Sequence, residues 1–221
     1  LEKEFQIPVF VDNDVNVLLS AESRYGRWKN EKNILCVMVG NGIGGGMILD
    51  SHVYRGSNGA SAEFGHMVID PRGPRCRCGK HGCLTTLVSD DYFIREADQL
   101  LGKGKLKRLA QEMNSQSLKE PTLKLLLDLY CKGDEEIQVL YTRWIHNLAQ
   151  GIDNLIRIFD PQIILLGRES LSTEATLIPE VTKEIKKINK FSLYANVKLV
   201  PFSLQKDGWN IGAADLVFQK V

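Results

Sequence analysis

Apolar runs broken by polar turns divide the chain into short strands and amphipathic helices. Pro8-Val9-Phe10-Val11 predicts a strand that ends in Asp12-Asn13-Asp14, and an apolar-periodic helix follows from Val15 to about Tyr25, stopped by Gly26. Ile34 to Val39 is an unbroken apolar run, the pattern of a strand buried on both faces. It enters Gly40-Asn41-Gly42-Ile43-Gly44-Gly45-Gly46 and leaves through a second strand, Met47 to Leu49, before Asp50-Ser51 turns into Val53-Tyr54. Ser89 to about Lys132 reads as helical with a polar interruption near Asn114 to Glu120. Glu135 to Phe159 predicts the longest helix, because Leu140, Trp144, Leu148, Ile152, Leu155, Ile156 and Phe159 recur at three- and four-residue spacing. Asp160-Pro161 breaks it. A buried strand at Ile163 to Leu166, a charged helix at Glu180 to Lys190, a strand at Val197 to Val200 and a short helix at Gly212 to Phe218 complete the pattern. Helices alternating with strands, together with a hairpin-like Gly40 to Tyr54, predict an α/β fold with a mixed sheet.

Composition adds exclusions. A length of 221 residues suits one or two domains, and a formal net charge of +1 offers no electrostatic case for nucleic acid on this chain. The basic stretch Lys103 to Arg108 is short and reads as a solvated helix end. With neither a signal peptide nor a bilayer-length apolar run, the expected location is cytoplasmic, with no membrane partner. Leu1 to Phe5 reads as the tail of a helix running at once into a strand, so an N-terminal part is expected to precede it.

Candidate chemistry concentrates between Glu63 and Cys83. His66, Cys76, Cys78 and Cys83 offer one imidazole and three thiolates, a donor set common in closed, structural zinc sites. Buried thiols or disulfides are the alternatives, but a Cys-x-Cys pair does not easily bridge to itself, and Cys36 and Cys131 sit alone in apolar segments. His81 rivals His66 as the nitrogen ligand, although its place inside the Cys78–Cys83 loop restricts its reach. Gly40 to Gly45 formally satisfies G-x-G-x-x-G, but a strand follows where the dinucleotide fingerprint needs a helix. Those glycines read either as a tight turn needing positive φ or as a place where a phosphate or sugar approaches the backbone. Asn13 and Asp14 lie at a strand-to-helix junction, where they serve equally as a helix cap or as ligand contacts. Glu63 likewise reads as a solvated carboxylate or as a group beside a metal ligand.

In combination these segments resemble the ROK family (repressor, open reading frame, kinase). Pro8 to Asn16 looks like its segment carrying a sugar-binding Asn and a catalytic Asp; Gly40 to Leu49 and Tyr54-Arg55-Gly56 look like its glycine hairpin. Ala60 to His66 is similar to its sugar-and-zinc segment, and Cys76 to Leu84 to its zinc signature. Asp160 to Gly167 and Gly212-Ala213-Ala214 resemble its two C-terminal landmarks. The resemblance implies an actin-like ATPase (ribonuclease H-like) lobe: a mixed sheet flanked by helices, with a zinc-bound loop within residues 63–85. Residues 1–221 then form one effector-binding region whose N-terminal half-lobe, with its Asp-Gly-x-Thr phosphate loop, is absent. It also implies a sugar held by Asn13, Asp14, Glu63 and His66, a phosphate-side glycine loop at Gly40, Gly42 and Gly44, and structural zinc on His66, Cys76, Cys78 and Cys83.

Four departures separate sensor from enzyme. Thr85 stands where family kinases carry a sugar-gripping Glu, and Gly40-Asn41-Gly42 replaces Gly-Thr-Gly. Arg168-Glu169 replaces glycines whose absence should crowd an adenosine, and Ala62 replaces a Gly. The expectation is the sugar-binding part of a ROK transcriptional repressor, with DNA bound through a helix-turn-helix N-terminal to this chain and with a homodimeric or tetrameric assembly. The alternative is an ATP-dependent sugar kinase with Asp14 as catalytic base and Mg-ATP as cosubstrate. A zinc-stabilised interaction module with neither role is the third reading.

Overall fold

The computed structural model describes residues 1–169, 174–189, 196–204 and 207–219. A one-turn helix α1 (Glu2–Phe5) and helix α2 (Asp14–Tyr25) precede strands β1 (Ile34–Val39), β2 (Ile43–Leu49) and β3 (His52–Val53). Helices α3 (Thr85–Val88), α4 (Asp90–Gly102), α5 (Lys107–Ser115), α6 (Leu123–Cys131) and α7 (Glu135–Phe159) follow. Then come β4 (Ile163–Arg168), α8 (Glu174–Ile188), β5 (Lys198–Val200) and α9 (Asp207–Phe218).

The sheet order is β3-β2-β1-β4-β5. β1 pairs antiparallel with β2 and parallel with β4, and β4 pairs parallel with β5, so the sheet is mixed as the hairpin pattern implied. Every residue of β1 is buried, because helices cover both faces. Leu35, Val37 and Val39 enter a core with Trp144, Leu148, Ile152 and Leu155 of α7. Cys36 and Met38 alternate onto the other face, against Val15, Leu18 and Leu19 of α2. Asp134 caps α7 by accepting from the Ile137 amide, and the helix stops at Asp160, which takes a left-handed φ of 43° just before Pro161.

Five local expectations change. Val9 to Val11 joins no strand of the described sheet, and Val11 is 89% exposed. Nothing in the described sheet lies beside that segment to complete a ladder. The glycine run is not a positive-φ turn: none of Gly40, Gly42, Gly44, Gly45 and Gly46 has positive φ, and β2 begins at Ile43. The stretch expected as helix from Ser89 breaks a second time, at residues 103–106, where Gly104 and Leu106 take φ of 74° and 58°. α9 begins at Asp207 rather than Gly212, because Gly208 and Gly212 let it approach α2 closely. A Cβ at Gly212 would collide with the Val17 carbonyl. α8 begins upstream of Pro179, and the expected end of that helix at Lys190 lies outside the described residues.

Candidate functional site

β2 organises the site because three successive glycines remove its side chains. A Cβ at Gly44 would lie 2.8 Å from Val15 Cγ2, and one at Gly46 would lie 3.2 Å from Val15 Cγ1 and 3.1 Å from Leu19 Cδ2. On the opposite face, a Cβ at Gly45 would collide with the Ala62 carbonyl and lie 2.6 Å from the Phe64 ring. The first turn of α2 and the Ala62–His66 segment therefore press on the two faces of one bare strand. Asn13 and Asp14 arrive with the former, Glu63 and His66 with the latter. No hydrogen bond links the two pairs among the described residues.

Asn13 caps α2: its Oδ1 accepts from the amides of Val15 at 2.9 Å and Asn16 at 3.3 Å. The capping role is therefore real, and it leaves the exposed amide nitrogen as a donor. Asp14 is exposed, with Oδ1 accepting from the Val15 amide at 2.8 Å. A carboxylate at this helix end is favoured by the N-terminal dipole. Beside them Arg55 donates through Nε at 2.8 Å and Nη2 at 2.7 Å to Asp12 Oδ2. Burial alone would raise the Asp12 carboxyl. Hydrogen bonds from Arg55, the Asn13 amide and Asn16 outweigh that and hold it below its ordinary value. A cavity of about 600 Å³ flanks this pair, lined by Val9, Phe10, Val11, Asp12, Asn13, Arg55, Gly59 and Leu216; of the candidate sugar contacts it touches Asn13 alone.

On the other face, Ala62 takes φ of 61° and Phe64 is buried, so Glu63 projects outward from a fixed backbone. Its Oε2 stands 4.0 Å from His66 Nε2. His66 Nδ1 points the other way, 3.3 Å from Cys76 Sγ. The Cys78 and Cys83 sulfurs lie 3.6 Å apart, and the ligand atoms of His66, Cys76, Cys78 and Cys83 all fall within 4.8 Å of one another. Tetrahedral zinc–sulfur bonds of about 2.3 Å place sulfurs about 3.8 Å apart, so the cluster fits such an ion.

The loop is shaped for this. Cys76 N–H donates to the Lys80 carbonyl at 2.7 Å, Gly79 turns with φ of 91°, and Val68 bridges to Cys83. Burial and the neighbouring Cys78 and Cys76 thiols push Cys83 up to about 12, whereas the Lys80 backbone N–H lowers Cys78. Three ionised sulfurs at this spacing need a cation among them. The exposed His81 faces the Gly73 carbonyl at 3.3 Å and lies outside the cluster.

The four departures fall around the glycine hairpin. Thr85 Oγ1 would lie 3.6 Å from a Cβ at Gly42. Arg168 does not crowd a cleft. Its side chain is buried, 3.6 Å from Asp90 Oδ1 and 4.7 Å from the centre of the Trp144 ring. Residue alternation along β4 turns it into the α7 core with Ile164 and Leu166. Glu169, one residue on, is exposed and lies against Gly40. The pattern of the sequence gives no sign of the ion pairs of Arg55 and Asp90: each partner lies more than forty positions away.

A model of the ROK family matches residues 1–220. The chain belongs to the ROK family. It is 28% identical over 219 residues to the xylose repressor of Bacillus spizizenii, covering 99% of this chain and 53% of that protein. It is 27% identical over 216 residues to the glucokinase of Thermotoga maritima, covering 96% of this chain and 67% of that one. Thus the chain spans about half the length of the repressor and two thirds of the kinase. Among solved ROK structures, a glucokinase from Streptomyces griseus in complex with glucose and AMPPNP superposes with a TM-score of 0.85 at 26% identity. The match covers 99% of this chain and 70% of that one. A ROK transcriptional regulator homologous to the Escherichia coli MLC protein gives 0.83 at 28% identity, covering 99% and 53%. These neighbours carry the actin-like ATPase fold expected of the family. No described helix is long and apolar enough to cross a membrane.

Proposed function

We propose that this chain is the sugar-binding part of a ROK transcriptional repressor, with residues 1–221 acting as one effector-binding region. The observation that supports the reading is that the α2 N-terminus and the Ala62–His66 segment, which carry the candidate donors and acceptors, pack on the two faces of one bare strand. Asn13 and Asp14 stand on one face of β2, Glu63 and His66 on the other, with Glu63 and His66 4.0 Å apart. Carboxylates and amides so placed suit the adjacent hydroxyls of a sugar, each able to hold two. His66, Cys76, Cys78 and Cys83 would hold zinc, whose chemistry here is structural. Nδ1 faces the sulfurs, so Nε2 is the nitrogen left to meet a ligand. Repressors prominent among the relatives, including those of the xylose and MLC kinds, support the regulatory role. DNA contacts are assigned to a helix-turn-helix in the rest of the whole protein, and its assembly to a homodimer or tetramer in the cytoplasm.

A second reading, an ATP-dependent sugar kinase, is favoured by one observation: Asp14 remains an exposed carboxylate at the α2 N-terminus. In that case Asp14 would take the proton of the attacking hydroxyl, with Mg-ATP supplied from solution. The first test is a thermal-shift survey of the zinc-loaded protein against pentoses, hexoses and N-acetyl sugars. One neutral sugar should raise the melting temperature, and Glu63→Gln and Asn13→Ala should each abolish that rise. No response to any sugar, or responses untouched by both substitutions, would sink the reading.

A further inference from the structure

We infer that Glu169 closes the glycine turn to phosphate-bearing ligands, so that this chain admits neutral ligands and rejects nucleotides. The inference extends the sugar-sensor reading and can fail separately from it. Glycine-rich turns bind phosphate by offering free backbone N–H groups in a concave, positively polarised surface. In the turn after β1 the first of these donors is already committed. Gly40 N–H donates to the Gly42 carbonyl at 2.9 Å, and the Gly40 carbonyl accepts from the Asp90 amide at 2.8 Å.

The parallel pairing of β1 with β4 sets Val39 opposite Arg168, which brings residue 169 alongside Gly40. Glu169 is tethered there by its own amide, which donates to the Val39 carbonyl at 2.8 Å. Its side chain covers the turn: a Cβ at Gly40 would collide with Oε2 and lie 3.1 Å from Glu169 Cβ. Among the described residues, the adjacent Asp90–Arg168 pair does not offset this carboxylate. Asp90 and Arg168 face each other in the interior at 3.6 Å, both side chains almost fully buried, so the charge presented outward is that of Glu169. A phosphate approaching the turn meets a like charge at Glu169 and, at Gly40, a donor already committed to the Gly42 carbonyl.

The same contact makes position 40 sensitive: a side chain there would displace the Glu169 carboxylate and press on its Cβ. It also gives the pair Arg168-Glu169 two different tasks. Arg168 anchors the end of β4 in the core, and Glu169 faces the turn.

The test is calorimetric titration of the zinc-loaded full-length protein with Mg-AMPPNP and, separately, with inorganic pyrophosphate. The wild type and Glu169→Asp, which keeps the charge, should bind neither probe at millimolar concentration. Glu169→Gln and Glu169→Ala should each gain affinity for at least one of them by about tenfold or more, as expected from removing a like charge at contact range. Sugar-induced stabilisation should be equal in all four proteins, which separates this outcome from failure of the sensor reading. Wild-type binding as tight as that of Glu169→Gln would overturn the inference, and so would the absence of any gain in both neutral variants. Glu169 is exposed, so both should fold, which circular dichroism verifies.

Discussion

Replacing Gly45 by alanine tests whether β2 is bare because two elements must reach its backbone. Gly45 has ordinary extended backbone, so alanine brings no φ penalty and reduces the unfolded-state entropy that glycine carries, a gain of about 0.5–1 kcal/mol. The new methyl, however, would collide with the Ala62 carbonyl and sit 2.6 Å from Phe64 Cδ2. The first obstacle is backbone, and Phe64 is buried against Phe159 with ring centroids 6.0 Å apart, so neither yields by a simple rotamer change. Overpacking of this kind costs about 1–3 kcal/mol, and the rigid obstacle argues for the upper end. The net expectation is about 2 kcal/mol of destabilisation, or about 4–8 °C in melting temperature for a chain of this size.

Gly46→Ala supplies the control. Its nearest neighbours are methyl carbons of Leu19 at 3.1 Å and Val15 at 3.2 Å, which can shift by a few tenths of an ångström. That variant should stay within about 1 kcal/mol of the wild type. Urea unfolding of both zinc-loaded variants is the assay. A Gly45→Ala protein as stable as the wild type, or a Gly46→Ala protein equally damaged, would refute the reasoning.

Three further outcomes are expected. Purified protein should carry one zinc per chain, and Cys78→Ser should lose it with a lower melting temperature, measured by metal analysis beside calorimetry; retention of zinc and stability would remove the metal site. The stability linked to Asp12 is complete above its ordinary value of 3.8 and is lost as pH falls through its depressed value, so Arg55→Met should flatten the acid limb of the stability curve. Arg168→Met should cost about 3–5 kcal/mol by breaking the buried pair with Asp90, and adding Asp90→Asn should recover part of it; the double variant tests the pairing through urea midpoints.

The elements with strong periodicity are legible in the chain itself. β1 ends where its apolar run ends, and α7 spans Glu135–Phe159 because both its stripe and its Asp160-Pro161 stop are written in the residues. The cysteine cluster is legible for a chemical reason: thiols at that spacing have few other uses. Close approach leaves weaker signals. Gly44 to Gly46 read as turn residues because glycine serves both turns and tight packing, and only the positions of Val15 and Ala62 distinguish them. Gly208 and Gly212 hide the start of α9 in the same way. Arg168 is misplaced by its sequence context because the residues alone do not say which face of β4 it takes, and that face decides between a crowded cleft and a buried ion pair.

The separation of sugar binding from phosphoryl transfer is tested most directly by coupled-enzyme detection of ADP from the full-length protein. Mg-ATP would be supplied together with whichever sugar stabilises the zinc-loaded chain. No ADP above the sugar-free background is the expected result, with the sugar still bound and its hold lost in Asp14→Asn. Sugar-dependent ADP release that Asp14→Asn abolishes would contradict the sensor reading and make the protein a kinase.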